Sequence, residues 1–156
     1  MKLKTRHERV HGEDSMVVIT PEQVGRLRVL VADDDPGSAA SVAELVRMLG
    51  HEPVVADGGT RAVEIASTTP IDVALLDIEM PEMDGLEVAR RLLLLRRQGV
   101  YIAVITGRGS EADLQLSASA GVIEHLVKPC TMKALTGVLR RADDYLRRNA
   151  PTPQLH

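Results

Sequence analysis

The chain has 156 residues, 44% hydrophobic and 26% charged, a composition typical of one globular domain with its own core. A net charge of −3 and an aromatic content of 1% argue against a surface that attracts or stacks on nucleic acids. With no apolar run long enough to span a membrane, no signal peptide and a single cysteine, Cys130, we expect a cytoplasmic protein.

The first 26 residues are predicted to be a polar and flexible extension. Within them, His7-Glu8-Arg9-Val10-His11 matches the H-E-x-x-H pattern of zinc proteases. That chemistry needs a buried helix, a third ligand and a substrate cleft, and the polar surroundings indicate none of these. We therefore interpret the match as chance, with a surface metal held by His7 and His11 as the alternative.

From Arg28 onward, short apolar runs alternate with helix-forming stretches. The predicted strands are 28–32, 53–56, 72–76, 101–105 and 122–126. The predicted helices are 36–49, 60–68, 85–97, 111–120 and 131–147. Five strand–helix units in a row predict an α/β fold, a doubly wound five-stranded parallel sheet with helices on both faces.

Capping and stop residues support the helix boundaries. A side-chain oxygen at an N-cap accepts a backbone N–H, and a glycine after the last turn readily adopts the conformation that ends a helix. The predicted N-caps are Asp35, Thr60, Ser110 and Thr131, with Asp84 serving the turn before the third helix. The predicted stops are Gly50, Gly99 and Gly121. The folded domain is predicted to span 27–148, followed by a proline-containing tail or linker at 149–156.

Four predicted strands end at side chains that carry chemistry: Asp33 and Asp34, Asp77, Thr106, and Lys128. Because the carboxyl ends of parallel strands lie at one edge of a sheet, we expect these side chains to converge. Carboxylates brought together repel one another, and oxygen ligands favour a hard cation such as Mg²⁺. An aspartate can also attack phosphorus and form an aspartyl phosphate. The pattern therefore predicts a site for a divalent cation and a phosphoryl group.

The segment around Asp77 makes this prediction specific. From Asp77 to Gly85 the chain reads D-I-E-M-P-E-M-D-G. Together with Asp33-Asp34, Thr106-Gly107 and Lys128-Pro129, this segment resembles the receiver domain of two-component response regulators. The resemblance covers residues 27 to 147, and each motif lies at a predicted strand end. It implies the flavodoxin-like receiver fold.

The resemblance implies a phosphorylation-controlled switch rather than an enzyme with an external substrate. Asp77 would accept a phosphoryl group from a phosphohistidine on a sensor histidine kinase or a histidine phosphotransfer protein. The ligands of Mg²⁺ would be Asp33, Asp34, Asp77 and the backbone carbonyl of Glu79. Thr106 and Lys128 would bind phosphoryl oxygens, and the Lys128-Pro129 bond would be cis, which proline makes accessible.

The resemblance also implies an output surface, formed by the fourth helix, fifth strand and fifth helix. Thr106 would move toward the phosphoryl group, and a fifth-strand residue would turn inward. That residue is usually Tyr or Phe in the family, whereas this chain has His125. Glu79 and Arg108 would lie over the site and control access of the hydrolytic water, with an ion pair between them as one arrangement.

The partner on the output side would be a downstream protein or an effector domain outside this chain, and a homodimer stays open. Direct contact with nucleic acid or a membrane is not expected. Whether the chain is a stand-alone regulator or one domain of a longer protein also stays open.

Two other functions are compatible with parts of the pattern. In a haloacid-dehalogenase-like phosphatase, Asp33 would be the nucleophile and Asp35 the acid/base, but that interpretation leaves the segment after Asp77 unexplained. In a receiver-like interaction scaffold, the site would never be phosphorylated. Alanine at Asp77 and at Asp33 distinguishes the phosphatase from the switch, since only the phosphatase would form its phosphoenzyme on Asp33.

Overall fold

The structure is a computed structural model, and it describes residues 25–95, 99–107 and 114–150, with 114–116 described by their backbone alone. The strands are β1 (Arg28–Ala32), β2 (Glu52–Ala56), β3 (Val73–Asp77), β4 (Tyr101–Thr106) and β5 (Glu124–Val127). The helices are α1 (Pro36–Met48), α2 (Gly59–Thr68), α3 (Gly85–Leu95), α4 (Leu114–Ser119) and α5 (Met132–Arg148).

The five strands form one parallel sheet in the order β2-β1-β3-β4-β5, which confirms the predicted doubly wound, flavodoxin-like fold. The register aligns the strand ends. Ala32 pairs with Leu76, Asp77 pairs with Ile105, and Thr106 pairs with Val127. The residues that follow β1, β3 and β5 therefore lie along the same edge of the sheet.

The sheet separates two apolar cores, because alternate side chains of each strand point to opposite faces. On one face, Val29 and Val31 pack with residues of α1 and α5. On the other face, Leu30 and Leu76 pack with residues of α2 and α3. All residues of β3 and β4 are buried, as expected for central strands covered on both faces. This rigid centre fixes the positions of Asp77 and Thr106.

The predicted helix caps are confirmed at two positions. Asp35 accepts a hydrogen bond from the Gly37 backbone N–H, and Thr131 accepts one from that of Ala134. Asp84 accepts a hydrogen bond from the Glu87 backbone N–H, at the turn before the third helix, as predicted. Gly50 and Gly121 have φ values of 92° and 90°, as expected for glycines after a helix.

One predicted cap is wrong. The second helix begins at Gly59 with Gly58 as its N-cap, so Thr60 lies inside the first turn. The Ala62 N–H donates to the Gly58 carbonyl at 3.0 Å, so the helical hydrogen bonds begin before Thr60. Gly59 also packs closely on the segment before α3, since a Cβ added to it would lie 2.4 Å from the backbone oxygen of Met83. The predicted fifth strand also began too early, because the Val122 N–H donates to the Ser117 carbonyl at the end of α4.

Several predictions fall outside the described residues. They are the H-E-x-x-H segment of the extension, the N-cap at Ser110, residues 96–97 of the third helix, residues 111–113 of the fourth helix, and residues 151–156 of the tail. Among the helices of the described ranges, none is long and apolar enough to span a membrane.

Candidate functional site

Three carboxylates meet at the carboxyl edge of the sheet. Asp33 and Asp34 directly follow β1, and Asp77 ends β3, its neighbour in the sheet. One oxygen from each carboxylate lies within 4.8 Å of the others. Asp33 and Asp77 are each 4% exposed, whereas Asp34 is exposed to solvent. The predicted convergence of these residues is therefore present in the fold.

Local backbone hydrogen bonds orient the two buried carboxylates. Oδ1 of Asp33 accepts from the Asp35 N–H at 2.9 Å, and Oδ1 of Asp77 accepts from the Glu79 N–H at 3.1 Å. The other oxygen of each carboxylate faces the same cation. Nζ of Lys128 lies 3.1 Å from Oδ2 of Asp33 and 3.2 Å from Oδ2 of Asp77. Lys128 thus bridges the ends of β1 and β3 from the far side of β4.

The electrostatics of the cluster follow from its burial. Burial raises the pKa of Asp77, and the charge of Asp33 adds to the effect, while the Glu79 N–H and Lys128 oppose it. For Lys128, burial disfavours the ammonium, but the contacts with Asp33 and Asp77 outweigh burial and raise its pKa. Three carboxylates lie together, and one ammonium contacts two of them, which leaves an excess of negative charge at this edge.

The donor set fits a hard divalent cation. All three side chains offer carboxylate oxygens, and their spacing allows more than one to reach a single ion. Sulfur or imidazole ligands, which favour softer metals, are absent from this group. Mg²⁺ usually takes one or two carboxylates and leaves positions for water and a phosphate oxygen. The arrangement is therefore suited to holding Mg²⁺ beside the Asp77 carboxylate.

Thr106 lies at the end of β4 and is buried. Its hydroxyl donates to the backbone carbonyl of Leu126 at 3.3 Å, so it is directed to β5 rather than to Asp77. The backbone carbonyl of Thr106 accepts from the Lys128 N–H at 2.8 Å, and the Lys128-Pro129 peptide bond is cis. These contacts connect Thr106 to Lys128 through the first turn after β5.

The segment after Asp77 is held close to the site by backbone contacts. The Ile78 N–H donates to the Ile105 carbonyl at 3.0 Å, and the Gly85 N–H donates to the Ile78 carbonyl at 3.2 Å. A Cβ added to Gly85 would lie 2.6 Å from the backbone oxygen of Asp77, so the start of α3 needs glycine. Met80 is buried in the core and anchors the middle of the segment.

The remaining predicted residues lie around this site. Glu79 is exposed, two residues after Asp77. Arg108 lies outside the described residues, so its ion pair with Glu79 stays a prediction. His125 is half-buried on β5, and its Nε2 lies 3.0 Å from the hydroxyl of Ser117 on α4.

Sequence reasoning missed Ser117 and a polar network on β4, β5 and α5. Ser117 is fully buried, but a single serine in a helical stretch gives no signal of such a contact. In the network, the Tyr101 hydroxyl donates to the Glu124 carboxylate, which also accepts two hydrogen bonds from Arg141. Burial and Glu124 raise the pKa of Tyr101 to about 12. For Tyr101, the available signal in the sequence was that it is one of two tyrosines in a chain without Phe or Trp.

Comparisons with known proteins agree with this geometry. The family model described as the response regulator receiver domain matches residues 29–140. The DNA-binding response regulator MtrA of Mycolicibacterium smegmatis is 32% identical over 128 residues. That match covers 82% of this chain and 54% of MtrA, so the chain spans about half the length of this relative.

Two solved structures share the fold. The CheY-like receiver domain protein from Methanospirillum hungatei JF-1 has a TM-score of 0.73 at 24% identity, and the match covers 80% of this chain and 98% of that one. The receiver domain of sensor histidine kinase PA1611 from Pseudomonas aeruginosa PAO1 has a TM-score of 0.68 at 24% identity, covering 77% and 99%. That structure was determined with a magnesium ion coordinated in its active site cleft.

Proposed function

The chain belongs to the response regulator receiver domain family, and from this premise we propose that Asp77 accepts a phosphoryl group in a Mg²⁺-dependent reaction. Receiver domains are regulatory modules of two-component signalling, so the product is a modified protein rather than a released metabolite. The observation that carries the proposal is the position of the Asp77 carboxylate. It is buried, lies beside two further carboxylates, and contacts an ammonium.

The proposed reaction transfers a phosphoryl group from a phosphohistidine. A carboxylate oxygen of Asp77 attacks phosphorus, the phosphorus–nitrogen bond breaks, and its electron pair returns to the donor's imidazole. Lys128 stays protonated, consistent with its raised pKa, and can bind a phosphoryl oxygen from its place beside Asp77. The donor would be a sensor histidine kinase or a histidine phosphotransfer protein.

Asp33, Asp34, Asp77 and the backbone carbonyl of Glu79 are the proposed holders of Mg²⁺. The all-oxygen donor set and the excess negative charge support this assignment. When bound, Mg²⁺ would neutralise charge on the phosphoryl oxygens. The magnesium ion reported in the PA1611 receiver cleft is in line with it. The Glu79 side chain and Arg108 would control access of water to the acyl phosphate.

The proposed signal begins at Thr106. Its hydroxyl would leave the Leu126 carbonyl and donate to a phosphoryl oxygen, which changes the contacts between β4 and β5. His125 would respond to that change, and the surface formed by α4, β5 and α5 would present it to a downstream protein, an effector domain or a second copy. This is a shift between two packings of one fold. A free cysteine, Cys130, suits the reducing cytoplasm in which we place the protein.

The experiment is intact-protein mass spectrometry after incubation with acetyl phosphate, with and without Mg²⁺. Wild type is expected to gain one phosphoryl mass only with Mg²⁺, and Asp77→Asn is expected to gain none. Asp84→Asn is the matched control, because Asp84 is exposed and caps a turn seven residues away. A gain that survives in Asp77→Asn would contradict the proposal and direct attention to Asp33, the nucleophile in the phosphatase alternative.

A further inference from the structure

A hydrogen bond connects β5 to α4 through two side chains. Nε2 of His125 lies 3.0 Å from Oγ of Ser117. Ser117 is 0% exposed, and His125 is half-buried. A buried hydroxyl needs a hydrogen-bonding partner, because leaving it without one costs free energy. His125 therefore satisfies Ser117 in this arrangement.

The backbone of Ser117 also closes the end of α4. Its carbonyl accepts from the Ala120 N–H at 3.1 Å and from the Val122 N–H at 3.0 Å. The chain then continues into β5, where His125 reaches back to the Ser117 hydroxyl. The Ser117 carbonyl thus stabilises the turn between α4 and β5, and its hydroxyl contacts the His125 side chain on β5. A displacement of His125 would break its bond to this closed turn.

Thr106 and His125 lie on the same face of the sheet. His125 pairs with Val104 and Val127 pairs with Thr106, so alternation directs the side chains of Val104, Thr106 and His125 to one face. The Thr106 hydroxyl bonds the carbonyl of Leu126, the residue after His125. A Thr106 hydroxyl that turned toward Asp77 would therefore change the contacts on the face of the sheet that also carries His125.

We propose that Ser117 is a positioning residue that holds His125 and α4 in the resting arrangement through the His125–Ser117 hydrogen bond. This inference rests on the proposed function, because it concerns the transition that phosphorylation of Asp77 would drive. In the proposed transition, His125 turns toward Thr106 and gives up its hydrogen bond to Ser117. The hydrogen bond therefore opposes the transition, and its strength sets part of the equilibrium between the two packings.

The test variant is Ser117→Ala, which removes the hydroxyl from a buried position without adding volume. A typical net hydrogen bond corresponds to a factor of about two to ten in an equilibrium constant. We therefore expect Ser117→Ala to bind beryllofluoride about two- to tenfold more tightly than wild type in the presence of Mg²⁺. Phosphorylation by acetyl phosphate should become faster. Ser41→Ala, which removes an exposed hydroxyl from α1, is the control and should match wild type.

The partner variants separate positioning from a merely structural effect. In a His125→Ala background, Ser117→Ala should cause no further change, because the interaction is already lost. His125→Gln keeps an amide nitrogen that can reach Ser117, and it should retain the wild-type affinity for beryllofluoride. Urea unfolding of each variant shows whether a change in affinity is accompanied by a change in stability. Should Ser117→Ala fail to fold, His125→Ala tests the same bond from its half-buried side.

An unchanged or weaker affinity in Ser117→Ala, or an equal effect of Ser117→Ala in the His125→Ala background, would overturn the role of Ser117. In both cases a wild type that still takes up a phosphoryl group leaves the proposed function standing. A wild type that binds no beryllofluoride and gains no phosphoryl mass would overturn both the proposed function and this inference.

Discussion

Nζ of Lys128 lies 3.2 Å from Oδ2 of Asp77, although the two residues are 51 positions apart in the chain. The contact joins the end of β3 to the turn after β5, with β4 lying between these strands. The same ammonium contacts Asp33 at the end of β1. A phosphoryl group on Asp77 would lie beside this ammonium, at the edge of the sheet that also carries Asp33 and Asp34.

Replacing Lys128 should therefore impair phosphoryl transfer more than metal binding. We expect Lys128→Met to slow phosphorylation by acetyl phosphate by a factor of about ten or more, because one charge-assisted contact to the phosphoryl oxygens is lost. Mg²⁺ should still bind, since the carboxylates remain. Isothermal titration calorimetry measures the binding of Mg²⁺, and the rate of phosphorylation by acetyl phosphate measures phosphoryl transfer. Lys133→Met, on the exposed first turn of α5, is the matched control. A variant that phosphorylates at the wild-type rate would contradict this role.

Removing a carboxylate should abolish the stabilisation by Mg²⁺. For wild type, Mg²⁺ at about 100 times its dissociation constant should raise the free energy of unfolding by about 2.7 kcal/mol. Asp33→Asn replaces one buried carboxylate oxygen of the cluster by an amide nitrogen and removes its charge, so it should show little of this increase. Asp144→Asn, on the exposed side of α5, should behave as wild type. The measurement is urea unfolding with and without Mg²⁺, and an equal increase in Asp33→Asn would exclude Asp33 as a ligand.

Two neighbouring glycines offer a matched test of the contact between α2 and the segment after Asp77. A Cβ on Gly59 would lie 2.4 Å from the Met83 oxygen, whereas one on Gly58 would have no atom within 4 Å. We expect Gly59→Ala to lower the free energy of unfolding by about 2–3 kcal/mol, because the Met83 backbone must move. Gly58→Ala should cost about 0.5–1 kcal/mol, from a weaker N-cap. Equal losses in urea unfolding would show that the close approach is unimportant.

The stability should fall as the pH falls below the ordinary pKa of histidine, and His51 is one cause. Nδ1 of buried His51 accepts the Leu27 N–H at 3.0 Å, which requires the unprotonated nitrogen. Burial is the main cause that lowers the pKa of His51; Arg26 adds to the shift, and Asp143 opposes it. The unfolded chain therefore binds the proton more readily than the folded chain. The contribution of neutral His51 to the free energy of unfolding is complete above the unfolded pKa of 6.5, and it is lost as the pH falls below that value.

The check is urea unfolding between about pH 7.5 and about pH 5.5, without Mg²⁺. His51→Asn keeps an acceptor near the position of Nδ1 but does not titrate, so its stability should depend less on pH over this range. Asp77 acts in the opposite sense at lower pH, because a raised carboxyl pKa favours the fold when protonated. Wild type and His51→Asn share the effect of Asp77. The difference between their free energies of unfolding at each pH therefore reports on His51 alone. If the free energy of unfolding depends on pH identically in wild type and His51→Asn, His51 is not a cause of the loss of stability.

The sequence was sufficient for the sheet and the acidic cluster because both depend on local patterns. Buried strands are apolar throughout, and a charged residue that ends such a run, such as Asp77, must lie at an edge of the sheet. Once the strands are parallel, Asp33, Thr106 and Lys128 share that edge, whatever the details of packing.

What the sequence did not predict depends on contacts between distant segments. α2 begins at Gly59, where Thr60 was expected to be the cap, and the close approach of the Met83 backbone leaves no room for a Cβ at this position. The bond of the Thr106 hydroxyl to Leu126 and the burial of Ser117 depend on how β5 and α4 pack. Neither residue type nor periodicity distinguishes a buried helical serine from an exposed one.

The most direct test of Asp77 as the phosphoacceptor locates the phosphoryl group itself. Borohydride reduces an aspartyl phosphate to homoserine, and peptide mass spectrometry then identifies the position that was modified. After incubation with acetyl phosphate and Mg²⁺, we expect homoserine at position 77 and unmodified aspartates at 33 and 34. Homoserine at position 33 or 34, with Asp77 intact, would contradict the assignment of Asp77 as the phosphoacceptor.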